Sequence, residues 1–262
     1  MDTGIRTLAE QDISTLSTVQ QTQLGALGST ADGRKFRYVS FGGTSTIAPG
    51  LLVQAPALTA NFQALAITAT TVAAAGQTTA NLALNSSQLV LTNGSTAITK
   101  DQFAEGYVDV IVGGASADAG HYTYKIRGNT AAAATTGYVT LYLAEPLRNT
   151  TALVPGTDTA NLRISDYSGV LSSTTAALTV GLTVMPVPNT ATVTNFGWVQ
   201  TYGDAVVLND AGGTITVGGA FGQSTTTAGN VKAATASTVP IVGITKIAIS
   251  ASTSAPAFLL LN

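Results

Sequence analysis

The sequence predicts an all-β protein, with short antiparallel strands forming a β-barrel or sandwich and an extended N-terminal arm. Three observations carry this. Residues alternate over short runs, as in Tyr107–Val112. Gly, Asn-Gly and Pro-Gly signals punctuate the runs. No long amphipathic helix is written anywhere in the chain.

Residues 1–30 read differently from the rest. Leu8, Ile13, Leu16 and Val19 fall loosely on a helical spacing that breaks at Gly25 and Gly28. A frayed tail and an arm ordered only against another subunit are both open, and the regularly placed apolar residues favour the arm. An Asp-Gly turn at Asp32-Gly33 opens a strand containing Phe36, Tyr38 and Ser40. Pro49-Gly50 turns into a short buried strand, Leu51–Val53, which Pro56 stops. The Ala- and Thr-rich stretch 59–100 reads mostly as strand, less clearly near Val72–Gly76, with a turn at Asn93-Gly94.

Tyr107–Val112, the run around Tyr122, Tyr124 and Ile126, and Tyr138–Leu143 form an antiparallel meander. Pro186 and Pro188 interrupt any continuous central strand. The last third reads as strands Trp198–Tyr202, Ala205–Leu208, Thr214–Val217, Pro240–Ile249 and Ala257–Leu261. Trp198, Gln200 and Tyr202 share one strand face between bends at Gly197 and Gly203. Trp198, the only tryptophan, is expected to pack in a core or at its rim. The expected organisation is an arm at 1–30, a meander domain at 31–150, a connecting segment at 151–190 and a small barrel-like region at 191–262.

Composition narrows the function. Charged residues make up 9% of the 262 residues, against about 25% in an ordinary soluble domain. The resulting neutral surface of Thr, Ser, Asn, Gln and Ala suits packing against neighbours. A net charge of −2 with no basic patch argues against nucleic acid. No apolar run approaches the ~18 residues of a membrane span, and the N-terminus lacks the pattern of a Sec signal. Cysteine is absent, so disulfides and thiolate chemistry are excluded.

Catalytic constellations are hard to assemble. His121 is the single histidine, at the entry to a strand, and no second His or Cys completes a typical zinc site. No nucleophile elbow accompanies it. Asp101, Glu105, Asp109 and Asp118 read as solvated turn carboxylates rather than a glycosidase pair. The glycine-rich run at 112–120 lacks a P-loop lysine, and calcium loops are missing. The expectation is a protein that is not an enzyme, with no catalytic, cofactor or metal residues.

Five segments, "DGRKFRYVSFGGTSTIAPGLLVQAPA", "ITKDQFAEGYVDV", "HYTYKIRGN", "VTLYLAEPLRN" and "GWVQTYGDAVVL", resemble virion structural proteins of tailed bacteriophages, in the same order. The resemblance covers most of residues 32–210 and the C-terminal strand region. It implies a head decoration (cement) protein, made in the host cytoplasm and bound to the outer surface of the major-capsid lattice. Its implied partners are the major capsid protein and itself, as a homotrimer, with neither nucleic acid nor membrane. It carries no catalytic residues. Leu8, Ile13, Leu16 and Val19 are the candidate capsid contacts. The alternative is a tail, fibre or head-spike module binding host surface glycans, for which exposed Tyr122, Tyr124, Trp198 and Tyr202 would stack on sugar rings.

Overall fold

A computed structural model describes residues 4–68, 85–113, 120–135, 137–148, 152–172, 178–190, 193–234 and 240–261. Val72–Gly76 and Asp118 lie outside them. The elements begin with β1 (Arg6–Thr7), the one-turn helix α1 (Glu10–Ile13), β2 (Leu27–Ser29), β3 (Lys35–Ser40) and β4 (Leu52–Gln54). Next come β5 (Leu65–Ala66), β6 (Gln88–Thr92), β7 (Tyr107–Val112), β8 (Gly120–Asn129), β9 (Tyr138–Leu143) and β10 (Thr159–Arg163). The chain continues through β11 (Thr179–Thr183), β12 (Phe196–Leu208), β13 (Ala220–Gln223), β14 (Val231–Ala233), β15 (Gly243–Thr245) and β16 (Ser254–Leu260). The all-β expectation holds, and the barrel is the form it takes.

Contacts divide the chain into two units: Met1–Ala57 with Asp166–Asn262, and Leu58–Ser165. These differ from the boundaries read at 30, 150 and 190. The supposed connecting segment 151–190 holds β10, which belongs to the second unit, and β11, which belongs to the first. Strand pairing across distant sequence decides membership, and local composition does not record it.

The second unit is a nearly closed six-stranded antiparallel barrel ordered β5-β10-β7-β8-β9-β6. Its outer strands meet through the Ile67–Leu91 bridge and the hydrogen bond from Thr68 N–H to the Val90 carbonyl, 3.1 Å. Closure removes the free edges that would invite misassembly. Alternation works as expected: Val108 and Val110 point inward with Tyr124, Ile126, Val139 and Leu141, while Tyr107 and Asp109 face out. Phe103 and Phe62 meet edge-on at 5.1 Å within the same core. The buried Asn129 side chain joins neighbouring loops, its Oδ1 accepting from Phe103 N–H at 2.8 Å and its Nδ2 donating to the Thr99 carbonyl at 2.9 Å.

The first unit is organised around β12. Its first half pairs antiparallel with β3 on one edge and β11 on the other, and β4 continues beyond β11. Its second half pairs with β16, from Tyr202 opposite Leu260 to Leu208 opposite Ser254. β15, β13 and β14 then follow, and the Asn209–Val231 bridge brings β14 back to the end of β12. This circuit surrounds a core of Val207, Ile215, Phe221, Val231, Val242, Ile249, Ala257 and Leu259. Thr214–Val217 is not a strand there; Ile215 makes only an isolated bridge to Ile249.

Two glycine readings change. Gly203 does not end a strand, because Trp198–Tyr202 and Ala205–Leu208 are one 13-residue strand. The register against β3 shifts between Gln200 and Tyr202, and Gly203 takes φ +94° just beyond. This is a β-bulge that redirects the strand without breaking it. Gln200 Nε2 satisfies the carbonyls of Tyr202 at 3.1 Å and Asp204 at 2.7 Å across the distortion. Gly197 makes no bend either: a Cβ there would lie 2.9 Å from Leu16 Cδ2, so the glycine makes room for that side chain.

Gly203→Val should therefore destabilise the first unit by about 3 kcal/mol, from backbone strain at a positive φ and a clash with Arg34. Trp198 is the only tryptophan and lies in this unit. Its fluorescence in urea titrations reads the loss free of the second unit's transition.

Candidate functional site

The expected N-terminal arm is not free of the fold. Strand β1 pairs in parallel with β2, Arg6 opposite Gly28. Helix α1 is opened by the Asp12 carboxylate, which accepts the Ala9 N–H at 2.9 Å. Leu8 and Ile13 are each 3% exposed and join Phe36, Tyr38 and Trp198 in one core cluster. Glycine makes the docking possible, since a methyl on Gly28 would collide with Leu8 Cδ1 and press on Trp198. Tyr38 meets Trp198 edge-on at 5.2 Å, and its hydroxyl accepts the Gln21 N–H at 3.0 Å. Burial, working against that hydrogen bond, raises the Tyr38 pKa above the ordinary phenol value. Arg34 ties the segment down by ion pairs to Glu10 and Asp32. The Thr30 hydroxyl and then Arg34 hold Asp32 down to about 2.

The four candidate contacts therefore separate. Leu8 and Ile13 are inside the chain's own core, and Leu16 packs half-buried beside Phe41 and Val199. Val19 alone is exposed, at 65%. A loose helical spacing of apolar residues records neither which of them is buried nor by what. The stacking residues of the glycan reading also divide. Tyr124 and Trp198 are buried, as expected for Trp198. Tyr122 and Tyr202 keep partial exposure.

A different surface emerges on β12, β16 and β15. Along β16, Ala255, Ala257 and Leu259 point into the core, while Ser254, Pro256, Phe258 and Leu260 point out. Register aligns them with outward neighbours: Tyr202 with Leu260, Asp204 with Phe258 and Ile244, Val206 with Pro256. Tyr202 and Phe258 meet edge-on at 5.1 Å. Lys35 Nζ sits 4.9 Å from the Tyr202 ring centre, Lys246 Nζ sits 6.0 Å from that of Phe258, and Lys246 also forms an ion pair with Asp204. Beside the row lies an open groove of about 590 Å³ lined by Pro49, Leu182, Val184, Val206 and Pro256, with Arg34, Asp204 and Lys246 among its polar residues. The sequence signal for this surface is "SAPAFLL", a strand with apolar residues on both faces. Such a strand is either buried on both sides or carries an exposed apolar face.

The candidate acids are occupied structurally. Asp109 accepts a bidentate pair from Arg163, Nε at 2.7 Å and Nη2 at 3.0 Å, and a hydrogen bond from Thr123 at 2.7 Å. Burial works to raise its pKa, but these partners outweigh it and hold the carboxyl below the ordinary value. Asp101 accepts the Asn129 N–H at 3.2 Å, and His121 lies exposed opposite Ile111. Among the described residues no group of three His, Cys, Asp or Glu could hold a metal. Asp210 is 2% exposed. Its carboxylate accepts from Ser224 Oγ at 2.6 Å, Gly212 N–H at 2.7 Å and Thr226 Oγ1 at 3.2 Å, beside Asn209, whose Nδ2 donates to the Gly213 carbonyl at 2.7 Å. Burial again works upward, yet these donors bring the pKa of Asp210 below its ordinary value. At Asp109, Asp101 and Asp210 the carboxylates brace loops and strands.

Comparison with protein-family models, curated proteins and solved structures gives no match for this chain.

Leu8→Ala should cost about 3 kcal/mol, as for other core truncations, whereas Val19→Ala should change stability by less than about 0.5 kcal/mol. Trp198 fluorescence during urea unfolding separates the two. Asp210→Ala should cost roughly 3 kcal/mol at neutral pH by leaving buried donors unpaired. Because the folded pKa lies below the unfolded one, the ionised Asp210 stabilises fully above about pH 4, and that contribution disappears as pH falls through the folded value. Urea titrations over the acid range should show a flatter loss of stability in Asp210→Asn than in the parent chain.

Proposed function

We propose that this chain is a structural protein of a large assembly, a capsid decoration protein that binds the outer surface of a tailed-bacteriophage shell. Its partners in that role are the major capsid protein and copies of itself. The phage setting rests on the resemblance of the five segments described above. The kind of contact rests on one observation: among the described residues, several of the few charged groups already have partners within the chain. Arg34 pairs with Glu10 and Asp32, Arg163 with Asp109, Arg148 with Glu145 and Lys246 with Asp204. Arg37 donates to the Gly25 carbonyl and lies over Tyr167. Such a surface has little net field with which to hold a charged ligand. Contact with a neighbour then comes from apolar and neutral polar area, worth roughly 25 cal/mol per Å² of apolar surface before association costs.

The outward row of Val206, Pro256, Phe258 and Leu260 supplies apolar area of this kind, and Leu8 and Ile13 no longer do. The glycan reading is less favoured, since Tyr124 and Trp198 are withdrawn into cores. Occupancy on purified shells should change little between about 0.1 and 1 M NaCl, over which the Debye length contracts from ~10 to ~3 Å. Release of most copies at the high end, read by gel densitometry of pelleted shells, would overturn non-ionic attachment.

A further inference from the structure

We propose that Asn93-Gly94 is a self-modifying site: Asn93 loses its side-chain amide spontaneously when the Leu58–Ser165 barrel opens, and the acid left behind opposes re-closure. The chemistry is independent of what the chain binds.

Asn93-Gly94 is the only Asn-Gly pair in the sequence. Glycine has no side chain to shield its backbone nitrogen, and its wide conformational range lets that nitrogen approach the preceding side chain. The Gly94 nitrogen gives up its proton to water and bonds to Asn93 Cγ, and Nδ2 leaves as ammonia. Water then opens the cyclic imide at either carbonyl, leaving aspartate or isoaspartate.

The fold fixes the labile pair and restrains it. A Cβ on Gly94 would lie 2.8 Å from the Asn61 carbonyl oxygen, so the position demands glycine. Asn93 is 3% exposed, and its Nδ2 donates to the Thr96 and Ala133 carbonyls, each at 2.8 Å. Asn93 N–H donates to the Gly137 carbonyl at 2.8 Å, and Thr135 N–H to the Gly94 carbonyl at 2.7 Å. These bonds oppose the swing that brings Cγ to the nitrogen. The Gly94 N–H has no acceptor of its own among the described residues. Protection therefore comes from the packed loops, and local opening of the barrel removes it.

The product does not fit the site that the amide left. Asn93 Oδ1 is buried without a hydrogen-bond partner. One oxygen of a carboxylate would inherit that place, and the other would face the Thr96 and Ala133 carbonyls. The charge would be buried with no donor on either side. Each opening that reaches the imide is thus recorded irreversibly.

Full-length chain, folded or in guanidinium, is held at mildly alkaline pH, and conversion at each asparagine is followed by peptide mass spectrometry. In the denatured chain Asn93 should convert ahead of Asn129 and Asn161, whose following residues are Thr130 and Leu162. The folded chain should convert Asn93 at least ~10-fold more slowly. Asn93→Asp should raise the opening constant of the barrel by about 100-fold, read by hydrogen exchange at the amides of β6 and β9. Equal rates in folded and denatured chain, or an Asn93 that lags the other two when denatured, overturn the proposal. Unchanged exchange in Asn93→Asp overturns it as well. The rate comparison uses only the parent chain, so it decides even where the variant fails to fold.

Discussion

Thirteen consecutive residues, Phe196–Leu208, connect the whole ten-stranded sheet of the first unit. Strand β12 serves β3 and β11 with its first half and β16 with its second. One strand can do this only if its direction changes midway without loss of backbone hydrogen bonds. The bulge before Gly203 supplies the change, and the Gln200 amide supplies the acceptors' missing partner. The Trp198 cluster depends on the half before the bulge, and the outward apolar face depends on the half after it. The two therefore share a single geometric origin.

Low charge has a structural counterpart in the asparagines. Asn93, Asn129, Asn189, Asn195 and Asn209 are buried, and each donates from Nδ2 to a backbone carbonyl of a loop or strand end. A neutral amide braces irregular backbone without the desolvation penalty of an ion. Long connections can thus be held rigid in a chain that is 9% charged. The carboxylates that are buried, Asp158 and Asp210, are likewise used on nearby backbone N–H groups, Gly113 and Gly212 among them.

Local alternation made β3, β7, β8, β9 and β16 legible, because a half-buried strand writes its inner face every second residue. Burial of Trp198 was legible for the same reason. Pairing across distance was not: nothing near residues 159–163 or 179–183 says that the first run joins the barrel of Leu58–Ser165 and the second joins β12. Gly203 reads as a turn because a positive-φ glycine serves turns and bulges alike. Leu8 and Ile13 were legible as apolar and spaced, but the space that receives Leu8 is made at Gly28, whose lack of a side chain carries no address. The outward face escaped notice because Pro256, Phe258 and Leu260 look like core when read beside Leu259.

The chain leaves the first unit after Ala57 and returns at Asp166, which imposes an order on biosynthesis. Every residue of the Leu58–Ser165 barrel reaches the ribosome exit before β12 does, so that barrel can close while the nascent chain is still tethered. The earlier strands β1–β4 must wait, because β3 finds its partner only when Phe196–Tyr202 emerges. Until then Phe36, Tyr38, Leu8 and Ile13 have no Trp198 to cover them. The inserted barrel thus acts as a spacer in time, separating the two halves of one sheet by a completed folding event. The interval of greatest exposure to chaperones or to misassembly falls on the N-terminal strands.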